Sequence, residues 1–180
     1  MDGLNDKYAQ RRCLTLQRLI AENKNLDINT KLFCVNNFFN RIPYQSDMKS
    51  WGREDYWAAP LETVVKGRAD CEDYAIAKFY TLIEMGIPQE KLFLIYLKRQ
   101  DTLAPHFVLA YYESETAEPL ILDNRNTDIT SCRLGEDLIP VYRFNLKTFI
   151  GYYEGRERTL PLAQVKFKKW HELNRRMQHL

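Results

Sequence analysis

The sequence predicts an α+β domain, with helices first and an antiparallel sheet after them. Three observations point that way. Up to about residue 90 the apolar residues recur at helical spacing, as in Leu16, Leu19 and Ile20 and again in Leu32, Val35, Phe38, Phe39 and Ile42. From Leu92 onward the segments are short, rich in aliphatic and aromatic residues, and separated by turn-forming residues, which is the signature of strands. The third is bulk composition: 180 residues, 45% hydrophobic and 28% charged, suit one globular domain with a substantial core.

Taken in order, the first helix is expected over about 6–23 and the second over about 29–41, where Pro43 stops it. Residues 44–59 break the pattern and read as a loop carrying Trp51, Tyr56 and Trp57, aromatics that either wall a groove or pin the loop to the core. Pro60 suits the first position of a short helix over about 61–66, and Gly67 ends it. A central helix then runs from Cys71 through Ile76, Phe79, Tyr80 and Ile83 to the Gly86–Pro88 stop. Strands are expected at about 92–97, 104–113, 118–123 and 138–144, and a closing helix at about 161–180. The chain is thus read as one domain over 1–180: a helical part to about 90, a sheet part over about 91–145 and the terminal helix.

Composition excludes several classes. A formal charge of +2 is too small to indicate a nucleic-acid partner. No apolar run approaches the ~18 residues that a membrane span requires, so no direct membrane insertion is expected. The start, Met1-Asp2-Gly3-Leu4-Asn5-Asp6-Lys7, has neither the basic opening nor the apolar stretch of a signal peptide, which fits a cytosolic chain or one whose leader has been removed. Cys13, Cys34, Cys71 and Cys132 are scattered without a C-x-x-C pair, against both zinc and a dense disulfide framework. Cys13 and Cys34 read as core residues, and Cys132, in a loop, receives no role. The basic face of the tail (Lys166, Lys168, Lys169, Arg175, Arg176) reads as solvated.

Chemistry concentrates in Gly67-Arg68-Ala69-Asp70-Cys71-Glu72-Asp73-Tyr74. Asp70 is placed as an N-cap, and Cys71 at the first helical position, where free N–H groups and the helix dipole favour a thiolate. Three flanking carboxylates oppose this, since each like-charge contact at ~4 Å costs about 4 kcal/mol at a surface-like dielectric, more than a helix end returns. A divalent cation on Asp70, Glu72 and Asp73 would relieve the cluster, and Ca²⁺ suits carboxylate oxygens on a loop. The plainer alternative is that acidic residues simply cap a helix start.

A nucleophilic cysteine needs a base and an orienting acceptor. His171 and His179 lie in the basic tail, whereas His106 opens one expected strand and Asp123 ends the next. A two-residue turn at Ser114-Glu115 would set His106 directly opposite Asp123. A longer loop centred near Thr116 would make them offset neighbours at the same end of the hairpin. Both registers bring the pair together, giving a Cys71-His106-Asp123 triad.

A helix-borne cysteine followed by histidine and aspartate on adjacent antiparallel strands resembles the transglutaminase-like branch of the papain-like enzymes. More narrowly, the chain resembles the bacterial transglutaminase-like cysteine proteases of the LapG type, through Asp70-Cys71-Glu72-Asp73-Tyr74-Ala75, Trp57-Ala58-Ala59-Pro60-Leu61-Glu62, Pro105-His106-Phe107-Val108-Leu109 and Leu120-Ile121-Leu122-Asp123-Asn124. Ala69 departs from the glycine expected before the aspartate. The resemblance implies a papain-like fold and a periplasmic, calcium-dependent endopeptidase. Such enzymes cut a large surface adhesin near its N-terminus at a di-alanine site and so release biofilm. An inner-membrane cyclic di-GMP receptor sequesters them. Carried over by position, Cys71 is the nucleophile, His106 the base, Asp123 the orienting acid, and Asp70, Glu72 and Asp73 the calcium ligands. The Cys71 backbone N–H would serve as one oxyanion donor, with a Trp51 or Trp57 indole as a candidate second. Two other functions share these residues: amide or acyl transfer by the same triad, and a non-catalytic calcium-dependent binding module.

Overall fold

The computed structural model describes residues 6–131 and 138–178; Cys132 and His179 lie outside them. The helical layer contains α1 (Lys7–Asn23), α2 (Ile28–Asn40), α3 (Asp47–Trp51), α4 (Pro60–Lys66) and α5 (Cys71–Glu84). Asp6 and Asp27 cap α1 and α2 by accepting hydrogen bonds from Tyr8 N–H and Thr30 N–H, both at 3.0 Å. In α4, Pro60 takes the first position and Glu62 reaches back to the Ala59 N–H at 2.7 Å. Gly67 then ends the helix at φ 65°, in the left-handed region. A Cβ there would meet the Arg12 guanidinium at 2.7 Å, because Arg12 donates to the Val64 and Val65 carbonyls that close α4. Gly67 is therefore fixed twice, by its backbone and by the α1 arginine lying against it.

The sheet follows: β1 (Leu92–Arg99), β2 (Pro105–Tyr111), β3 (Leu120–Leu122), β4 (Thr130–Ser131), β5 (Leu138–Phe144), β6 (Thr148–Tyr153) and β7 (Arg156–Pro161). These pair antiparallel in the order β4-β3-β2-β1-β5-β6-β7. Helix α6 (Lys168–Met177) returns to the helical face, where Trp170 and Leu173 are buried against Phe144, Phe79 and Tyr80.

Four expectations change. The 44–59 loop contains a one-turn-and-a-half helix, α3, too short for periodicity to reveal. β6 and β7 form a hairpin around Glu154-Gly155 in a stretch where no element was expected. The tail helix begins at Lys168 rather than near 161, since residues 156–161 belong to β7. The two-residue β4, Thr130–Ser131, was also unforeseen.

Helix α5 is the pivot. It packs on β2 and β1 with one side and on α2 and α4 with the others, and Ile76, Ala77, Phe79 and Leu82 are fully buried. Each such large side chain contributes about 1.5–3 kcal/mol by leaving water, so the interior two-thirds of the helix fixes the position of its first residue, Cys71.

Candidate active site

Cys71 opens α5 at one end of a cleft of about 690 Å³. The walls include Tyr44, Met48, Trp57, Tyr96, Phe107 and Tyr142, and the polar residues Asp47, Asp70, Glu72 and His106 converge on the same space. The segment before α5 is clamped to the loop after α2: Gln45 N–H donates to Ala69 O at 2.8 Å, and Tyr44 bridges Ala69 in parallel. The residue where glycine was expected thus sits in regular extended backbone, 1% exposed.

The structure brings His106 and Asp123 together. The β2–β3 register pairs Tyr111 with Leu120 and Leu109 with Leu122, so Asp123 falls one step beyond the ladder and diagonal to His106. This is the longer-loop register. His106 Nε2 lies 2.9 and 3.0 Å from the two Asp123 oxygens. A carboxylate can only accept, so Nε2 carries the proton and Nδ1 the lone pair. Nδ1 is buried without a hydrogen-bond partner among the described residues, in a side chain that lines the cleft with Cys71. Burial pulls the Asp123 carboxyl up, but the hydrogen bond and charge of His106, the Arg125 N–H and Lys78 together hold it below the usual carboxylate value. The chain after Asp123 is gripped from α2: the Asn40 amide donates to Asp123 O at 2.9 Å and to Asn126 O at 3.2 Å, and the Asn36 amide to Thr127 O at 3.1 Å.

Around the sulfur the balance is reversed. Cys71 Sγ donates to Glu72 Oε2 at 3.1 Å. Burial first, then the charge of Glu72, pushes the thiol up, against a smaller lowering by the Phe107 N–H. Asp70 holds the N-cap position but makes no side-chain cap hydrogen bond, contrary to expectation. Its carboxyl joins those of Asp47 and Glu72 instead, with one oxygen from each lying within 4.8 Å of the others. Burial and the charges of Glu72, Asp73 and Asp47 push Asp70 up to about 10. Asp47 is pushed up to about 6 by burial, against the hydrogen bond from the Tyr56 N–H. One oxygen of each, Asp47 Oδ1 and Asp70 Oδ1, is buried without a hydrogen-bond partner among the described residues.

Asp73 stands outside this trio. Its Oδ1 accepts from Ala58 N–H at 2.8 Å, and its carboxylate also takes the Asp70 N–H, the reach-back of a capping box. Asp47 was missed in the sequence because it lies 24 positions before Cys71, in the helix turn hidden inside the loop. The loop aromatics serve mainly to pin. Trp57 is buried against Phe107, Phe144 and Phe167, with one edge on the cleft. Neither indole is placed as an oxyanion donor. Trp57 Nε1 donates to Asp55 at 3.1 Å, and Trp51, tilted against the Tyr56 ring, is not among the cleft-lining residues.

Comparisons with known proteins bear on the same residues. Residues 8–136 match the family model described as bacterial transglutaminase-like cysteine proteinase. Among solved structures the chain is similar to Legionella pneumophila LapG in three forms, each at 32% identity over 96% of this chain. The EGTA-treated form gives a TM-score of 0.85 with 91% of that chain covered. The calcium-bound form gives 0.82 with 92% covered, and a third structure gives 0.82 with 89% covered. No curated protein matches. With the family model spanning the nucleophile helix and both partner strands, the chain belongs to the bacterial transglutaminase-like cysteine proteinases.

Proposed function

We propose that the protein is a calcium-dependent endopeptidase that uses Cys71 as nucleophile, His106 as base and Asp123 as orienting acid. The observation that carries this reading is the His106–Asp123 pair, whose buried imidazole lines one cleft with a cysteine at a helix N-terminus.

The carboxylates of Asp47, Asp70 and Glu72 fit a calcium ion: hard oxygen donors, converging, partly buried, and with two oxygens otherwise unpartnered. This set replaces Asp73, whose oxygens hold backbone N–H groups, with Asp47. Bound there, Ca²⁺ would neutralise the charges that now disfavour a thiolate. The protein's own groups do the rest. His106 Nδ1 takes the thiol proton, and the thiolate adds to the scissile carbonyl, whose oxygen develops charge toward the Cys71 N–H at the helix start. The imidazolium then protonates the leaving amine as the C–N bond breaks, leaving a thioester on Cys71. Water attacks that thioester, giving a proton to His106 and releasing the carboxylate product as the sulfur departs.

The substrate we infer is a large surface adhesin cut near its N-terminus at a di-alanine site in the periplasm, with a cyclic di-GMP receptor of the inner membrane as the sequestering partner and biofilm release as the outcome. Similarity to LapG supports this. Among the described residues no helix is long and apolar enough to cross a membrane. The test is incubation with an adhesin N-terminal fragment, with and without a calcium chelator, reading the cut by mass spectrometry. One cut between small residues, lost with chelator and in Cys71→Ala, is the expected result. Turnover by Cys71→Ala would end the nucleophile assignment, and incorporation of an added amine in place of hydrolysis would make the enzyme a transferase.

A further inference from the structure

Helix α6 reaches across to a part of the cleft wall that lacks main-chain support. Between α3 and α4, residues 53–58 make no backbone–backbone hydrogen bond among the described residues, and the chain there is left-handed at Gly52 (φ 65°) and Asp55 (φ 57°). Yet this strap fixes Asp47. The Tyr56 N–H donates to Asp47 Oδ2, while Asp47 Oδ1 has no hydrogen-bond partner among the described residues. Helix α3 itself has five residues and no side-chain cap hydrogen bond, too little to hold an aspartate in place unaided.

Side chains do the holding, and one comes from α6. Arg176 donates through Nη2 to Trp57 O, its Nε lies 3.4 Å from Glu62 Oε1, and its guanidinium carbon sits 4.5 Å from the centroid of the Tyr56 ring. Glu62 completes the grip: Oε1 accepts from the Tyr56 hydroxyl at 2.9 Å and Oε2 from the Ala59 N–H at 2.7 Å. The Trp57 ring and the Ala58 N–H have further anchors, on Phe107 and on Asp73. Tyr56, which carries the N–H that Asp47 accepts, rests between Arg176, Glu62 and the Trp51 ring. The arginine stands on a firm base, since Trp170 and Leu173 of α6 are buried and Asn174 accepts from the Tyr80 hydroxyl of α5 at 2.7 Å.

We propose that Arg176 is a positioning residue for the calcium site: through Tyr56 it holds Asp47 beside Asp70 and Glu72, so that the C-terminal helix sets how tightly the ion is held. The proposal rests on the calcium reading above. A ligand set ordered in advance binds more tightly than one that must be ordered on binding, and groups that orient metal ligands from behind act in this way.

The test is calcium titration by isothermal calorimetry on the native chain, Arg176→Met and Tyr56→Phe, each well below its melting temperature. Methionine keeps an apolar stem against Tyr56 and removes the guanidinium. Phenylalanine keeps the ring and removes the hydroxyl that donates to Glu62. Calcium Kd should rise about tenfold in Arg176→Met, the usual scale for losing an outer-shell partner, and by a smaller factor in Tyr56→Phe. The sign separates positioning from a field effect, because taking a cation away from a cation site tightens calcium by charge alone. An unchanged or lower Kd in Arg176→Met overturns the proposal. Where that variant does not fold, Tyr56→Phe decides: a raised Kd supports the proposal and an unchanged one overturns it. Neither substrate nor turnover is needed. A native chain that binds no calcium would sink the calcium assignment together with this one, whereas native binding that survives at full strength in Arg176→Met would sink this one alone.

Discussion

Two sets of carboxylates serve the cleft, and burial acts on them alike while their partners do not. Asp123 has a donor on each side: the His106 imidazole bonds both oxygens, and the Arg125 N–H takes one of them again. Its pKa is lowered despite burial. Asp70 and Asp47 face each other and Glu72, and both are raised. Desolvation has the same sign in both places, so the protein decides by what it sets opposite each oxygen. The first set is complete within the chain. The second leaves one oxygen each of Asp47 and Asp70 without a hydrogen-bond partner among the described residues.

The largest effect expected from breaking this contrast is at the complete end. Asp123→Ala removes the acceptor that fixes the His106 tautomer and should lower kcat by on the order of 10³–10⁴, with near-native circular dichroism. A loss under tenfold would show that orientation comes from elsewhere. Calcium addition probes the incomplete end. At 100-fold over Kd the ion should stabilise by about 2.7 kcal/mol, which for a domain of this size raises Tm by roughly 5–10 °C in a thermal melt. No shift would remove calcium from the account.

Asp70→Asn then separates the two ends in sign. In chelator it should raise Tm by roughly 2–4 °C by removing a repelled carboxyl, and it should erase the calcium response, whereas Asp123→Ala lowers Tm in either condition. The smallest effect is a slope. Asp70 and Asp47 have folded values above their unfolded ones, so the calcium-free fold binds more protons than the unfolded chain and loses stability as pH rises above 4. Lys78, lowered to about 7, is protonated in both states below that pH and adds no slope there. Melts between pH 4 and 6.5 should therefore fall with pH in chelator and flatten in calcium.

Much of this was legible in the residues. Periodicity located α1, α2 and α5, because each presents an apolar stripe, and Pro60 and Gly67 bracketed α4. The order Cys71, His106, Asp123 pointed to a histidine and an aspartate that the structure does bring together, and the short loop between two apolar segments placed the hairpin. What escaped notice depends on distance in the chain. Asp47 joins the acidic trio only because α3 turns back toward α5, and no local pattern marks a five-residue helix. The β6–β7 hairpin escaped because β7 is exposed along most of its length and so lacks the apolar alternation that identifies a half-buried strand. Nothing in the local pattern sets Lys78 apart; its burial follows from α5 being covered on several sides.

The α2 amides have a consequence for how freely this protein can vary. Asn36 and Asn40 hold the segment after Asp123 solely by its main-chain carbonyls, and a carbonyl is the same whatever side chain accompanies it. Arg125 and Thr127 can thus change side chain while Asp123 keeps its place beside His106, whereas Asn126, whose Oδ1 also takes the Asp128 N–H, is less free; drift is channelled to positions held through their main chain.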